Sequence, residues 1–144
     1  MTESARDSQG LLRYALVGNA TFSSITGLFI IVAHDWIAHL LGAGGSAVMI
    51  GLGVGLLVFA ATLLINARRP ELKLTDAWAV VLMDLVWVAG SYVILLVAPF
   101  TAEGRWVIAA VADLVLVFAV LQWMGIHRIQ SHERADRLSR GPSI

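Results

Sequence analysis

The sequence has no cysteine and few charged residues, and these absences narrow what the protein can be. Without cysteine the chain has no disulfides, no thiol nucleophile and no cysteine-ligated metal. Charged residues are 14% of the chain and cancel to a net charge of zero, so neither nucleic-acid binding nor electrostatic steering of a large partner is indicated. GxSxG, phosphate-loop and HExxH patterns are also missing, which predicts a protein that is not an enzyme and needs no metal or cofactor.

Long apolar runs are what the sequence has in abundance. Hydrophobic residues make up 58% of its 144 residues and the mean hydropathy is +0.80, more than a domain of this size can bury in one core. Roughly 20 apolar residues in a helix cross a bilayer core about 30 Å thick, and a helix pairs every backbone group there. We predict an all-α, four-span bundle in one membrane domain, with spans one to four at 11–33, 46–67, 77–98 and 105–127 and a basic cytoplasmic tail at 128–144.

Basic residues predict which end of each span is cytoplasmic. Of the ten arginines and lysines, only Arg105 falls between spans three and four, and none falls between spans one and two. The other nine lie before span one or in its first turn (Arg13), between spans two and three, or after span four. Because basic residues in short loops stay cytoplasmic, we expect both termini inside.

Spans three and four resemble a second copy of spans one and two. A shift of 65 positions places Asn19 on Asp84, and a shift of 59 places 57–60 on 116–119, both reading LVFA. Each copy is a two-helix hairpin, so the predicted pseudo-two-fold axis runs along the membrane normal. Chance matching of apolar residues is the alternative explanation.

Asp84 is the first candidate for chemistry. It lies roughly 10 Å inside the cytoplasmic end of span three, where an ionisable side chain costs on the order of 2.5–3.5 kcal/mol to insert. We expect it to face the bundle interior and to bind a proton or contact a cation; the alternative role is a hydrogen bond that links helices. Asn19 lies at a similar depth in span one, with Ser23 one turn further on the same face, so we predict an Asn19–Asp84 hydrogen bond.

Asp113 lies in the outer half of span four, and we expect it to face inward as well. Arg105 is two turns earlier on the same face with Ala109 between them, which predicts a water-filled outer vestibule. The alternative is a carboxyl tied to a neighbouring helix, with Arg105 reaching the headgroups. Because Asp84 and Asp113 lie at different depths, they suit a relay or an ion path better than an acid–base pair.

Small residues mark the predicted packing faces. Ala47, Gly51 and Gly55 recur every four residues in span two, and Gly27 continues the Asn19–Ser23 stripe in span one. Such faces let helices approach closely, here within the subunit or between subunits.

Four segments carry a family resemblance: NATFSSITGLFI (19–30), the basic turn at 68–70, MDLVWVAGS (83–91) and FAVLQWMGIHR (118–128). Together they resemble small bacterial four-span integral membrane proteins of uncharacterised function. The resemblance implies a bacterial inner-membrane location and no known activity. Arg13-Tyr14 and the asparagine after them are similar to small fluoride channels, but the phenylalanine-rich stretch of the third span in those channels is missing here.

Two functional hypotheses follow. The first is a small transporter or channel-like protein that contacts a proton, cation or small solute through polar side chains of its spans, namely Asp84, Asn19, Asp113, Ser23 and Arg105. The second is a non-transporting module that binds lipid or a membrane-protein partner through the small-residue face of span two. A lipid-modifying enzyme ranks third, because no nucleophile and base can be paired from spacing. The expected partners are membrane lipids and a second copy in a homodimer, and not nucleic acid.

Overall fold

The computed structural model describes residues 3–42, 45–70 and 73–139, which form five α-helices and no strand. These are α1 (Glu3–Val32), α2 (His34–Leu41), α3 (Ser46–Arg68), α4 (Leu74–Val97) and α5 (Ala102–Ser139). All but the short α2 are long and apolar enough to cross a membrane. The predicted all-α class with four apolar spans is therefore confirmed, and the helices are those of a multi-pass membrane protein.

The helices extend beyond the predicted spans at both ends of the chain. α1 begins at Glu3 instead of residue 11, and α5 continues to Ser139, so the tail from 128 is helical as far as it is described. Residues 140–144 of the predicted tail lie outside the described residues. A break at Ala33 separates α2 from α1, and α2 ends at Gly42, whose φ of 69° is a left-handed conformation that glycine adopts without steric cost.

The packing order across the bundle is α3, α1, α5, α4. α1 packs extensively against both α3 and α5, and α5 packs against α4. α3 and α4, although consecutive in the chain, make few contacts with each other. The bundle is consequently open on the side between α3 and α4.

One end of the bundle, called the basic end below, is where α1 and α4 begin and α3 ends. The Arg13 guanidinium ties two of these elements together by donating to the carbonyls of Ala67, Arg69 and Pro70 at 2.6, 2.7 and 2.9 Å. Carbonyls at a helix C-terminus lack partners within the helix and carry partial negative charge, so a guanidinium there satisfies both needs.

The apolar core fills the half of the bundle next to the basic end. All four long helices contribute to it, with Leu12, Leu16, Ala20, Ala60, Leu63, Ala67, Ala77, Val80, Val81, Ile126 and Ile129. Gly125 lets α5 reach the backbone of α1 there, since a Cβ at this position would lie 3.0–3.3 Å from Leu12. The core thus closes the basic end against water.

The opposite end is held by Thr101, which precedes α5. Its N–H donates to the Leu41 carbonyl at 3.0 Å, and its hydroxyl donates to the Leu40 carbonyl. The Gly104 N–H donates back to the Thr101 hydroxyl oxygen at 3.0 Å, as at a capped helix start. α2 is thereby fixed to the beginning of α5.

The closest approach of α1 and α3 is at Gly27 and Gly53. A Cβ on Gly27 would lie 2.8 Å from the Gly53 carbonyl oxygen, and one on Gly53 would lie 2.7 Å from that of Gly27. The predicted packing role of Gly27 is confirmed. The same role within the subunit is wrong for Ala47, Gly51 and Gly55, because all three are exposed and a Cβ on Gly51 or Gly55 would meet nothing within 4 Å.

Candidate functional site

A buried polar cluster joins three helices just beyond the apolar core. Asp84 of α4 is 1% exposed, and its Oδ2 accepts hydrogen bonds from Asn19 Nδ2 of α1 at 2.7 Å and from Gln122 Nε2 of α5 at 3.1 Å. The Ser23 hydroxyl donates to Asn19 Oδ1 at 3.3 Å. The predicted hydrogen bond between Asn19 and Asp84 is therefore confirmed. We call Asp84, Asn19, Gln122 and Ser23 the Asp84 cluster.

Helical periodicity carries the apolar core directly into this cluster. Asn19 is one turn after the buried Leu16, Asp84 is one turn after Val80, and Gln122 is one turn before Ile126. Each polar side chain therefore shares the face that its helix turns inward. The cluster therefore lies next to the apolar core, on the side of the core that is farther from the basic end.

Gln122 is the member of the cluster that the sequence-based prediction missed. It is fully buried and supplies the second donor to Asp84. A signal for it existed, because Gln122 is five residues from the predicted inner end of span four and Asp84 is seven from that of span three. At about 1.5 Å per residue the two side chains lie at nearly the same depth.

The cluster holds more acceptors than donors. Both amides donate to Oδ2 of Asp84, which leaves Oδ1 with no donor among the described residues. Gln122 Oε1 is buried and also has no hydrogen-bond partner in the part of the chain that is described. Burial disfavours a charged carboxylate, whereas two N–H donors stabilise it. Carboxylate and amide oxygens that lack a donor can bind a proton, a ligand N–H group or a cation.

A cleft of about 320 Å³ opens from the Asp84 cluster toward the gap between α3 and α4. The buried side chains of Asn19, Ser23 and Asp84 line it, and so do the exposed Gly51 and Gly55 of α3. Its walls are otherwise mainly apolar and aromatic, with Phe22, Phe59, Met83, Trp87, Leu52, Leu56, Val111 and Val115. Asp84 is the one ionisable residue among those that line it.

Asp113 does not join this cluster, and the prediction that it faces inward is wrong. It is exposed on the surface of α5, where its Oδ1 accepts a hydrogen bond from the Tyr92 hydroxyl of α4 at 2.5 Å. The buried face of α5 includes Ala112, Val115 and Ala119. Asp113 follows Ala112 by one residue, a turn of about 100° around the helix, so it points out of that face.

Arg105 also does not contact the Asp84 cluster, and its side chain binds the end of α4. Its guanidinium donates to the Leu95 carbonyl in the last turn of α4 at 2.8 Å, and no ion pair within 4 Å links it to Asp113, both residues being described. The water-filled vestibule of Arg105, Ala109 and Asp113 stays a prediction, and the two charged side chains are each held by a group of α4, the Leu95 carbonyl and the Tyr92 hydroxyl. Arg105 satisfies a helix C-terminus instead, as Arg13 does at the other end.

The donor atoms of the cluster are all oxygen or amide groups. No group of three or more His, Asp or Glu side chains that could hold a metal ion occurs among the described residues.

Protein-family models, curated proteins and solved structures were compared with the chain, and none of them matches it.

Proposed function

We propose that the protein is a small membrane transporter or channel-like protein in which Asp84 binds a proton, a cation or a small cationic solute. One observation carries the proposal: the mid-span Asp84 carboxylate accepts hydrogen bonds from two amides on one oxygen, its other oxygen has no donor among the described residues, and its side chain lines a cleft. An ionisable group at such depth is costly and is commonly found where ions or protons pass.

The position of the apolar core supports this function. The core closes the basic end below Asp84, whereas the cleft leaves Asp84 approachable through the gap between α3 and α4. A binding group with one open and one closed side fits one state of an alternating-access cycle. Opening of the core around Leu16, Leu63 and Ile126 would then expose Asp84 to the basic end.

We further infer that the basic end is cytoplasmic and that the protein resides in a bacterial inner membrane. In the sequence, nine of the ten basic residues precede span one or lie in its first turn, join spans two and three, or follow span four, and the positive-inside rule assigns that side to the cytoplasm. We also infer an internal repeat of two hairpins. The hydrogen bond between Asn19 and Asp84, which occupy corresponding positions, supports the repeat.

Flux through reconstituted protein tests the proposal. Full-length protein in liposomes that enclose a pH-sensitive dye should dissipate an imposed proton or cation gradient, and Asp84→Asn should reduce the rate to that of empty liposomes. Asp113→Asn is the matched control, because it makes the same substitution in a span but outside the cleft, and it should leave the rate near wild type. Wild-type flux equal to that of empty liposomes would contradict the proposal.

A membrane module without transport is the second candidate, supported by the exposure of Gly51 and Gly55. Such a module would bind lipid, a second copy or another membrane protein through the Ala47/Gly51/Gly55 face. In that case Gly51→Leu abolishes self-association or partner binding, and Asp84→Asn leaves it intact.

A further inference from the structure

We propose that the Asp84 site takes a lipophilic organic cation, one with a single positive charge on an apolar body, which enters sideways from the bilayer between α3 and α4. This inference rests on the proposed function, because it takes Asp84 as the binding group. It adds the chemical class of the ligand and its route.

The route follows from where the cleft opens. Its lining comes from the middle of each span: 19–26 of α1, 51–59 of α3, 83–87 of α4 and 111–115 of α5. α3 and α4 scarcely touch, and the residues along their gap, Gly51 and Gly55 on one side and Met83 on the other, are exposed. At mid-span an exposed gap faces acyl chains. A ligand that passes through this gap must therefore be soluble in hydrocarbon.

The charge of the ligand follows from the lining. Asp84 is the buried acid of the lining, and no arginine, lysine or histidine among the described residues lines the cleft. A cation gains from the carboxylate, whereas an anion meets only repulsion. Three aromatic side chains, Phe22, Phe59 and Trp87, also line the cleft. The faces of such rings attract cations, most strongly where water is excluded.

An organic cation also suits the site better than a small inorganic one. Hard inorganic cations bind where several oxygens replace their water, as in calcium sites with 6–8 oxygen ligands. Here Asp84 Oδ1 and Gln122 Oε1 are the cluster acceptors that lack a donor within the described part of the chain, and the wall is otherwise mostly apolar. A quaternary ammonium ion is weakly hydrated and can use aromatic faces in place of oxygens. The volume of about 320 Å³ is at the lower end of the range for small-molecule sites.

A pair of isosteric probes tests the charge requirement. Benzyltrimethylammonium and neopentylbenzene have the same shape, and only the first is charged. Binding to full-length protein in nanodiscs, corrected for empty nanodiscs, should be at least about tenfold tighter for the cation, a difference of about 1.4 kcal/mol. Asp84→Asn should remove that preference. Equal binding of both probes, or a preference that survives Asp84→Asn, overturns the inference.

A second variant tests the route. A Cβ on Gly55 would meet nothing within 4 Å, so Gly55→Leu adds bulk to the cleft without a clash of its first side-chain atom. We expect it to lower the association rate of benzyltrimethylammonium at least about tenfold. Ala61→Leu is the matched control: Ala61 is exposed on α3 and outside the cleft, and the association rate should stay at the wild-type value. Equal association rates for both variants, at unchanged oligomeric state, overturn the lateral route.

The two proposals fail in different ways. If Asp84-dependent proton flux is present in liposomes and benzyltrimethylammonium does not bind, this inference is wrong and the proposed function stands. If the cation binds at Asp84 and no flux of any kind depends on Asp84, the inference stands and the transport function is wrong.

Discussion

Asp84 and Asp113 show how differently two aspartates within spans can be accommodated. Asp84 of α4 is buried, and α1 and α5 each provide an amide donor that offsets the free energy of its desolvation. Asp113 is at the surface, where the hydroxyl of Tyr92 provides its partner. An inward orientation therefore does not follow from depth alone, since a donor from the neighbouring helix can satisfy a carboxylate on the outside as well.

At the scale of single residues, we predict that the stability of the fold depends on a hydrogen-bond acceptor at position 84 and not on the negative charge of the Asp84 carboxylate. Asp84→Asn keeps an oxygen that can accept from Asn19 or Gln122, so the free energy of unfolding should change by no more than about 1 kcal/mol. Asp84→Leu leaves both buried amide donors unsatisfied and should cost about 2 kcal/mol. Titration with denaturing detergent measures both values.

Equal losses of stability in Asp84→Asn and Asp84→Leu would contradict this prediction, because they would show that the carboxylate charge itself holds the helices. A large difference between the variants, combined with loss of flux in both, would separate a structural acceptor from a functional carboxylate.

At the scale of single helices, α3 illustrates why small residues alone do not identify a packing face. Its sequence offers Gly51 and Gly55 on one side and Gly53 on another, and every side of α3 is apolar. Gly53 is the one that meets α1, because Gly27 supplies the complementary gap there. Gly51 and Gly55 are left to line the cleft. A pattern of small residues thus shows that a close approach is feasible, and the partner helix decides where it occurs.

We predict that alanine substitutions will separate these glycines. In Gly53→Ala the added methyl group would lie 2.7 Å from the Gly27 carbonyl oxygen, so α1 and α3 must move apart. The cost should be about 1–3 kcal/mol of unfolding free energy, as for other overpacked sites. Gly55→Ala has open space and should stay within about 0.5 kcal/mol of wild type. Detergent-denaturation midpoints of the two variants provide the comparison, and similar midpoints would refute the assignment of the crossing point.

At the scale of the whole molecule, the cleft lies where the bundle differs from the two-fold symmetry that the proposed repeat would give. In the inferred repeat α1 corresponds to α4 and α3 corresponds to α5. A symmetric bundle would therefore pack α3 on α4 as closely as it packs α1 on α5. The second of these contacts is extensive and the first is nearly missing. Because α3 and α4 make so few contacts, the cleft at the Asp84 cluster is open between them. The candidate site therefore lies where the two hairpins pack differently.

The absence of cysteine makes the orientation of the whole molecule directly measurable. Lys73 lies at the basic end before α4 and Glu103 lies at the other end in the first turn of α5, and both are exposed. Glu103→Cys should react with a membrane-impermeant maleimide added to intact cells, because the proposed orientation places that end outside. Lys73→Cys should react only after the membrane is permeabilised. The reverse pattern of labelling would place both termini outside.

Length and composition determined the parts of this protein that depend on position along the helix axes. A helix advances by a fixed rise per residue, so apolar run lengths predict four spans, and similar depth predicts the Asn19–Asp84 pair. The rotation of each helix about its own axis could not be predicted from the sequence in this way. Side chains that face lipid and side chains that face the core are equally apolar here, so periodicity carries little information about which face turns inward. Tertiary packing therefore decided that Asp113 faces outward, that Gln122 joins Asp84, that Gly53 and not Gly51 meets α1, and that α3 and α4 stay apart.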